Sequence, residues 1–591
     1  MNHLRHLIIC LSAVIAILTA GCSGEDGTGE DHVVMSLGKK VSTIDPALAA
    51  DFPSQSLCAA FYDTLIQYDY DAPGYRLEPA MLKEMPVLLD DGLTYRCTLR
   101  DDLYFQDGPW FFSRSDRKVT SRDVVFSLLR LADGRLNSPG YWIVRDTIRG
   151  IPAFREKTVA ADPGDMSVYD DPVEGLKIVD DQTFLLKCSK REPRLFYLLA
   201  MPGSAVVSRR AADAEGNGIF SERPCGSGPY CMTEWKRDYS VEMARYPEYR
   251  HEVSGGKRLP SADRITCYLV RQDVSSWLMF LQGELDFYAL GGEQFQALVN
   301  EKGELADALK ERGIRLLRSP LLETSYIGMH FNDPVLGKNA DLRAALSLAF
   351  DKEMRSIQSG GRFIPAYGAV PPGIDGALED ETGSFGRRNV ELAKKYLAKA
   401  GYPGGIDPET GKPLVLTFDQ AGTDTAFQQL AELMANDMRA IGIEIRANLN
   451  TRPRFQAKLS SGDMQLFRYS WCADYPDAEN FLQLFYSGNA GGCNRVCFSD
   501  PEYDRMYETV RIMDDSPERT ELYRKMGRYL QTRCPWIFES HTMSFVLHHS
   551  WLKQYRIHDF AFNRWKYLSA PADERTQTRR SFEPLPMSAL R

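Results

Sequence analysis

Histidine is scarce in this chain, nine residues in 591, and only His548-His549 stand side by side. No His-Glu-x-x-His occurs, so the zinc-and-base helix of a metalloprotease cannot form. No Gly-x-Ser-x-Gly is present, which removes the nucleophile elbow of an α/β-hydrolase. Gly411-Lys412 runs into Pro413 and lacks the earlier glycine of a phosphate-binding P-loop. Beyond the N-terminus no stretch is apolar enough to span a bilayer, which takes ~20 apolar residues. Positive charge is short as well. The 71 Lys and Arg against 80 Asp and Glu leave a formal charge of −9. With no long basic stripe, this argues against a nucleic-acid partner. Asp474 and Asp477 could be drawn as an acid/base pair. Glycosidase carboxylates, however, stand ~5–9.5 Å apart across a bond, and two neighbours in one turn need not do so. These absences favour a binder over an enzyme.

What is present begins with an export signal. His3, Arg5 and His6 make a polar, weakly basic start, Leu7 to Ile17 an apolar run, and Thr19-Ala20-Gly21-Cys22 a small-residue cleavage region. Ala20-Gly21-Cys22 resembles a bacterial lipoprotein box, although its Leu18 lies one place earlier than usual. The resemblance implies a signal peptide over 1–21 and a lipidated Cys22, and so a protein anchored to the cell envelope on the periplasmic side. Ser23 to Asp31 has no apolar residue and reads as a flexible tether.

The rest is too long for one simple core and should divide into two or three lobes. Cys225/Cys231 and Cys493/Cys497 are spaced to bridge short loops, but sequence leaves the pairing open. A Cys₄ zinc site would need tighter, doubled spacing. Val33 to Leu37 reads as a strand, and Ser54 to Tyr68 carries Leu57, Phe61 and Leu65 at helical spacing. Thr120 followed by Asp123 predicts a capping box on a helix. Cys225-Gly226-Ser227-Gly228-Pro229-Tyr230 reads as a backbone turn, because Pro229 removes an amide that a phosphate cradle would use. Leu414 to Phe418, the apolar stripe Phe427, Leu430, Met434, Met438 and Ile441, then Ile443 to Ile445 make strand, helix and strand.

The most informative stretch is Arg468-Tyr469-Ser470-Trp471-Cys472-Ala473-Asp474-Tyr475-Pro476-Asp477. Leu466 to Trp471 reads as a strand, and Tyr475-Pro476 as the turn that ends it. At period 2, Arg468, Ser470, Cys472 and Asp474 share one face, which puts a cation and a carboxylate at its two ends. Such a face could hold a short zwitterion; the plainer reading is an Asp in a turn and an Arg on a solvated surface.

Trp471-Cys472-Ala473-Asp474-Tyr475 resembles the signature of family 5 extracellular solute-binding proteins of ABC importers, the periplasmic oligopeptide-binding type. Further phrases follow in the family's order: Ile44-Asp45-Pro46, Asp91 to Arg100, Tyr104 to Gly108, the Gly226 turn, Gly283-Glu284-Leu285-Asp286 and Phe498 to Asp504. The resemblance implies an α/β fold, a type II periplasmic binding protein clamp with an extra lobe. The expected lobes are 32–70, 193–324 and 544–591 for the first, 71–192 for the second and 325–543 for the third, with a hinge between the ligand-holding first and third. It implies Asp474 at a peptide's α-ammonium group and Arg468 where a short peptide's carboxylate can end. Trp471, Cys472 and Tyr475 would lie beside them. Phe52 is either a ligand contact or a core-facing aromatic at the head of a helix, and Tyr141 either a ligand contact or local packing. The partners implied are a peptide, an ABC permease with its ATPase and, through Cys22, the membrane. The protein would act as a monomer without a cofactor. Family members also carry oligosaccharides, nickel chelates or haem, and a lipoprotein of this fold could instead serve surface interaction or signalling. One family feature is missing. Leu322 to Tyr326 has no cysteine where enteric oligopeptide binders place the partner of Cys472, which leaves Cys472 to pair with Cys493 or Cys497 or to stay free.

Overall fold

The computed structural model describes residues 29–582, apart from 39, 301, 302 and 380. The expected signal peptide and Cys22 lie outside the described residues. Three larger sheets organise the chain. The strand His32–Ser36 runs parallel to Arg264–Tyr268 and, with Ser240–Arg245 and Tyr230–Lys236, makes a four-stranded sheet. An antiparallel sheet of four strands is built from Val87–Leu88, Thr94–Thr98, Thr183–Lys187 and Leu176–Ile178. The third sheet has seven strands. Its spine is an antiparallel pair of long strands, Ile314–Met329 and Trp536–His549.

Those two strands cross the molecule. Near one end Trp536–His549 takes Phe287–Ala289 on its other edge, and further along it takes Phe363–Pro365. On the far side Ile314–Met329 pairs with Leu466–Cys472, which continues into Val415–Gln420 and Glu444–Leu449. The ladder between the long strands slips twice, between Pro320 and Thr324 and between Ser325 and Tyr326. Such bulges bend a strand and redirect a side chain.

The phrases that carried the resemblance have physical work to do. Asp45 and Arg130 form a bidentate, fully buried pair at 2.9 and 2.7 Å, which fastens the Ile44-Asp45-Pro46 turn to the helix Ser121–Ala132. At that helix's start the Asp123 carboxylate accepts from the Thr120 N–H at 2.9 Å, as a capping box requires, and also from the Thr120 hydroxyl at 2.9 Å. Asp286 joins three distant segments: it accepts from Val34 N at 2.6 Å, from Trp551 Nε1 at 2.7 Å and from Arg575 Nη2 at 2.8 Å. Gly228 packs directly on backbone, since a Cβ there would sit 2.4 Å from the Phe61 carbonyl carbon.

One expectation needs correction, and the open question of cysteine pairing is answered. The helix over Ser54 to Tyr68 spans Phe52–Phe61 instead, and Ile66–Tyr68 is a strand. Its pairing with Leu77–Pro79 outweighs the local helical spacing. All ten cysteines among the described residues are free thiols. Cys225 is packed inside ahead of the glycine turn, Cys231 lies on the strand after it, and the Cys493 thiol turns to the Gln483 side chain at 4.0 Å. The strand–helix–strand unit forms as Val415–Gln420, Thr425–Arg439 and Glu444–Leu449, with Met434 and Met438 fully buried in its core. Among the described residues no helix is long and apolar enough to cross a membrane.

Candidate functional site

The strand Leu466–Cys472 sets the frame of the site, one residue longer than its pattern predicts. Ile327, Ser325 and Glu323 stand opposite Arg468, Ser470 and Cys472 in the ladder, so these six share one face of the sheet. Asp474 follows two residues beyond the strand's end.

Asp474 is held by a single side chain. The buried Asn480, on the short helix Glu479–Leu482, accepts through Oδ1 from the Asp474 N–H at 3.1 Å and from Trp471 Nε1 at 2.8 Å. Its Nδ2 donates to the Asp474 carboxylate at 3.2 Å. Among the described residues no cation stands within ion-pair distance of that carboxylate, whose residue is half-buried. Desolvation pushes its pKa above the usual carboxylate range, and the Asn480 amide offsets only part of the shift. The next acidic residue behaves differently. Asp477 is buried and spent on Arg519 at 2.8 Å, Tyr523 at 2.7 Å and the Glu479 N–H at 2.8 Å.

Arg468, at the other end of the face, is paired. Its Nε meets Glu539 at 2.8 Å and its Nη2 donates to Ser325 Oγ at 3.1 Å. Glu539 falls in the slip between Ser325 and Tyr326, because Ser540 faces Ser325 while Phe538 faces Tyr326. The bulge lets its carboxylate meet Arg468 and also Arg355. Burial alone would raise the Glu539 pKa; Arg355 and Arg468 outweigh it and hold the carboxyl below its usual range. Arg468, Arg355 and Arg362 line one cavity of about 190 Å³ with Phe363 and Phe427.

A second, larger chamber of about 490 Å³ borders the long-strand bulge at Leu321. Phe52, Phe287, Leu321, Val546, Tyr555 and Trp565 give it an apolar lining, with Asp273, Asp559 and Arg564 as its charged members. Asp559 accepts from Tyr75 OH at 2.7 Å and from Leu322 N at 3.2 Å, which ties the C-terminal segment to the bulge. Phe52 is half-exposed, 5.7 Å from the Phe562 ring. Cys472 is open to the solvent side, yet protein crowds its thiol. Desolvation and the neighbouring Glu323, Asp559 and Asp474 carboxylates push it up to about 12.

The structure therefore brings Phe52 to the apolar chamber, Arg468 to the arginine-lined cavity, and Trp471 and Asp474 together through Asn480. Two sequence candidates lie elsewhere. Tyr475 is buried, its hydroxyl donating to Glu479 at 2.6 Å and accepting from Arg194 at 3.2 Å. Tyr141 begins the helix Tyr141–Arg145 and lies under the Arg155 guanidinium, 4.3 Å from its ring centre. Asn480, Glu539, Arg355, Arg362, Asp559 and Arg564 were not singled out from sequence. For Glu539 a signal exists: Glu-Ser-His interrupts the apolar run Trp536-Ile537-Phe538, and a charge inside a buried strand requires partners.

Comparison with known proteins gives a consistent result. The chain is 23% identical over 492 residues to Heme-binding protein A of Haemophilus influenzae, covering 82% of each chain. It is 25% identical over 551 residues to the periplasmic oligopeptide-binding protein OppA of Escherichia coli, covering 90% of this chain and 92% of that one. The structure of HbpA2 from Haemophilus parasuis superposes with a TM-score of 0.73 at 21% identity, over 91% of this chain and 99% of that one. The mixed α/β architecture is that of the type II periplasmic binding proteins. With residues 76–493 matching the model of the bacterial extracellular solute-binding proteins, family 5 Middle, this chain belongs to family 5 of the extracellular solute-binding proteins.

Proposed function

We propose that this protein is the lipid-anchored binding component of an ABC importer and that it captures oligopeptides between its first and third lobes. It is a carrier rather than an enzyme. The observation that carries the reading is Asp474, a half-buried carboxylate whose hydrogen-bonding side-chain partner is the neutral Asn480 amide. A desolvated carboxylate without a counter-ion is costly unless a ligand supplies the cation. An α-ammonium group supplies it with a charge-assisted bond worth roughly 1.5–3 kcal/mol. Arg468 lies six residues back in the chain, at most ~20 Å when extended, where the peptide's carboxylate would reach it. An extended backbone would add along the cleft as a strand does, and side chains would enter the chambers. The two long strands would serve as hinge, bending at the bulge around Leu321 to Glu323, and closure would present the loaded carrier to the permease.

Calorimetric titration of the protein from Ser23 onward, freed of bound ligand, with a mixed tri- to pentapeptide pool tests this. Binding is expected from the free pool and not from the same pool N-acetylated. Heat from neither pool overturns the peptide reading. For the anchor, mass spectrometry of envelope-extracted protein should find acyl chains on Cys22, and Cys22→Ser should release the protein to the soluble fraction.

The apolar chamber supports a second reading, a flat apolar ligand such as the haem for which one relative is named. His558 is the histidine in that lining. Its Nδ1 accepts from Phe560 N at 3.1 Å and Ala561 N at 2.9 Å, which puts the ring proton on Nε2. A protonated Nε2 has no lone pair for iron, so haem would have to be held here by its ring and carboxylates. Absorbance titration with haemin in the same experiment separates the two readings.

A further inference from the structure

The arginine-lined cavity holds more positive charge than one peptide carboxylate needs. Three guanidinium groups, Arg355, Arg362 and Arg468, border a space of about 190 Å³. Among the described residues Glu539 is the one carboxylate paired with any of them, and it is shared by Arg355 and Arg468. Arg362 donates to the Ser359 carbonyl at 3.2 Å and rests near the rings of Phe295 and Phe363, at 5.8 and 5.7 Å, with no acidic partner among the described residues. The nearest helix start brings Ala426 and Phe427 to the lining, while its Asp424 turns back to cap its own helix at Ala426 N. Among the described residues the local balance is three cations against one anion. Protein crowding already lowers the Arg362 pKa, with Arg355 adding to it, as expected of a cation that lacks a counter-charge. The space is about six waters' worth, enough for a short side chain and its carboxylate together with a chain terminus.

We infer that this cavity selects peptides whose C-terminal residue is itself acidic, with Arg468 taking the terminal carboxylate and Arg362, beside Arg355, taking the side-chain carboxylate. The inference rests on the peptide reading above and adds a substrate class to it. Guanidinium groups suit this because each carries five N–H donors, so Arg468 and Arg362 keep donors beyond those given to Glu539, Ser325 and Ser359, and a second carboxylate is best met by a second cation. Neutralising both excess cations would also remove the repulsion among the three guanidiniums in the closed cleft.

The test is a calorimetric series on the intact mature protein with Ala-Ala-Ala-Ala, Ala-Ala-Ala-Glu and Ala-Ala-Ala-Lys, repeated one residue shorter and one longer. Ala-Ala-Ala-Glu is expected to bind about tenfold or more tighter than the all-alanine peptide of the same length, and the lysine peptide more weakly than either. Arg362→Gln should collapse the Glu-to-Ala affinity ratio toward one, while Arg362→Lys should retain part of it. Equal affinities for the Glu and Ala peptides would overturn the inference and leave the peptide reading standing. If no peptide binds, both fall. A ratio that survives Arg362→Gln would overturn the assignment to Arg362.

Discussion

Two carboxylates near the strand Leu466–Cys472 differ in how the fold satisfies them. Glu539 is fully buried, carried on a bulge of one long strand and neutralised by Arg355 and Arg468. Asp474 is half-buried beyond the end of the neighbouring strand, and its carboxylate receives one amide N–H from Asn480. The local field moves their pKa values in opposite directions, down for Glu539 and up for Asp474. One charge is satisfied within the fold. The other has a neutral amide as its side-chain partner, which is why we propose that a ligand supplies its cation.

The comparison breaks first if Glu539 proves dispensable. Glu539→Ala leaves two arginines without their shared partner. Removing one member of a buried pair costs about 3–5 kcal/mol. Because both arginines keep an edge on the cavity, the loss should fall near 3 kcal/mol, read from chemical denaturation. Asp474→Ala should cost stability little and binding much. Loss of the ammonium contact predicts roughly 10- to 150-fold weaker peptide affinity, from ~1.5–3 kcal/mol. If Asp474→Ala destabilised the fold as strongly as Glu539→Ala while leaving affinity intact, the two roles would be reversed.

How much of this was legible in the sequence differs between the two groups for a physical reason. Asp474 lies within a local pattern of strand, turn and charge, and so does the Thr120–Asp123 cap. The strand–helix–strand unit was legible too, because its periodicity is set by neighbours in the chain. The pairing of Arg468 with Glu539 joins residues 71 positions apart through a bulge, and no local spacing predicts a bulge. The helix expected over Ser54 to Tyr68 failed for the same reason: Ile66–Tyr68 answers to Leu77–Pro79, not to its own periodicity. Glu323 opposite Cys472 shows the limit most directly. The sequence shows that no cysteine is present between Leu322 and Tyr326. The ladder shows that a carboxylate stands across from the thiol, so the pocket's edge here is acidic rather than cross-linked.

Acidification sharpens the contrast. The ligand-free Asp474 carboxyl titrates above the usual aspartate range, and a bound ammonium would pull its pKa back down. Affinity should therefore be constant above the raised free-state pKa. Below it, affinity should weaken by up to about tenfold per pH unit until the lower bound-state pKa is reached. Calorimetry across that window should also detect one proton released on binding. A flat profile would mean that Asp474 does not meet the ammonium.

The smallest effect is the most discriminating. A carboxyl whose folded-state pKa is raised above its unfolded value favours the fold only in its protonated form. That contribution is present below the unfolded pKa, near 3.9 for aspartate, and is lost as pH rises through the folded pKa. At neutral pH the ionised Asp474 therefore costs the empty protein stability. Asp474→Asn keeps the side chain's shape and can still accept from Asn480 Nδ2, but carries no charge to desolvate. It should raise the stability of the empty protein at pH 7 by about 0.5–2 kcal/mol, the gain common when a functional strain is removed, and the gain should vanish in acid. Glu539 has the opposite sign: its lowered pKa contributes stability at neutral pH that is lost as pH falls through that pKa, so Glu539→Gln should destabilise at pH 7 and least in acid. Melting curves of the two variants at pH 7 should shift in opposite directions, and below pH 4 both shifts should shrink. If Asp474→Asn lowered stability at neutral pH, the carboxylate would be structural, and the ammonium would have to be received elsewhere in the cleft.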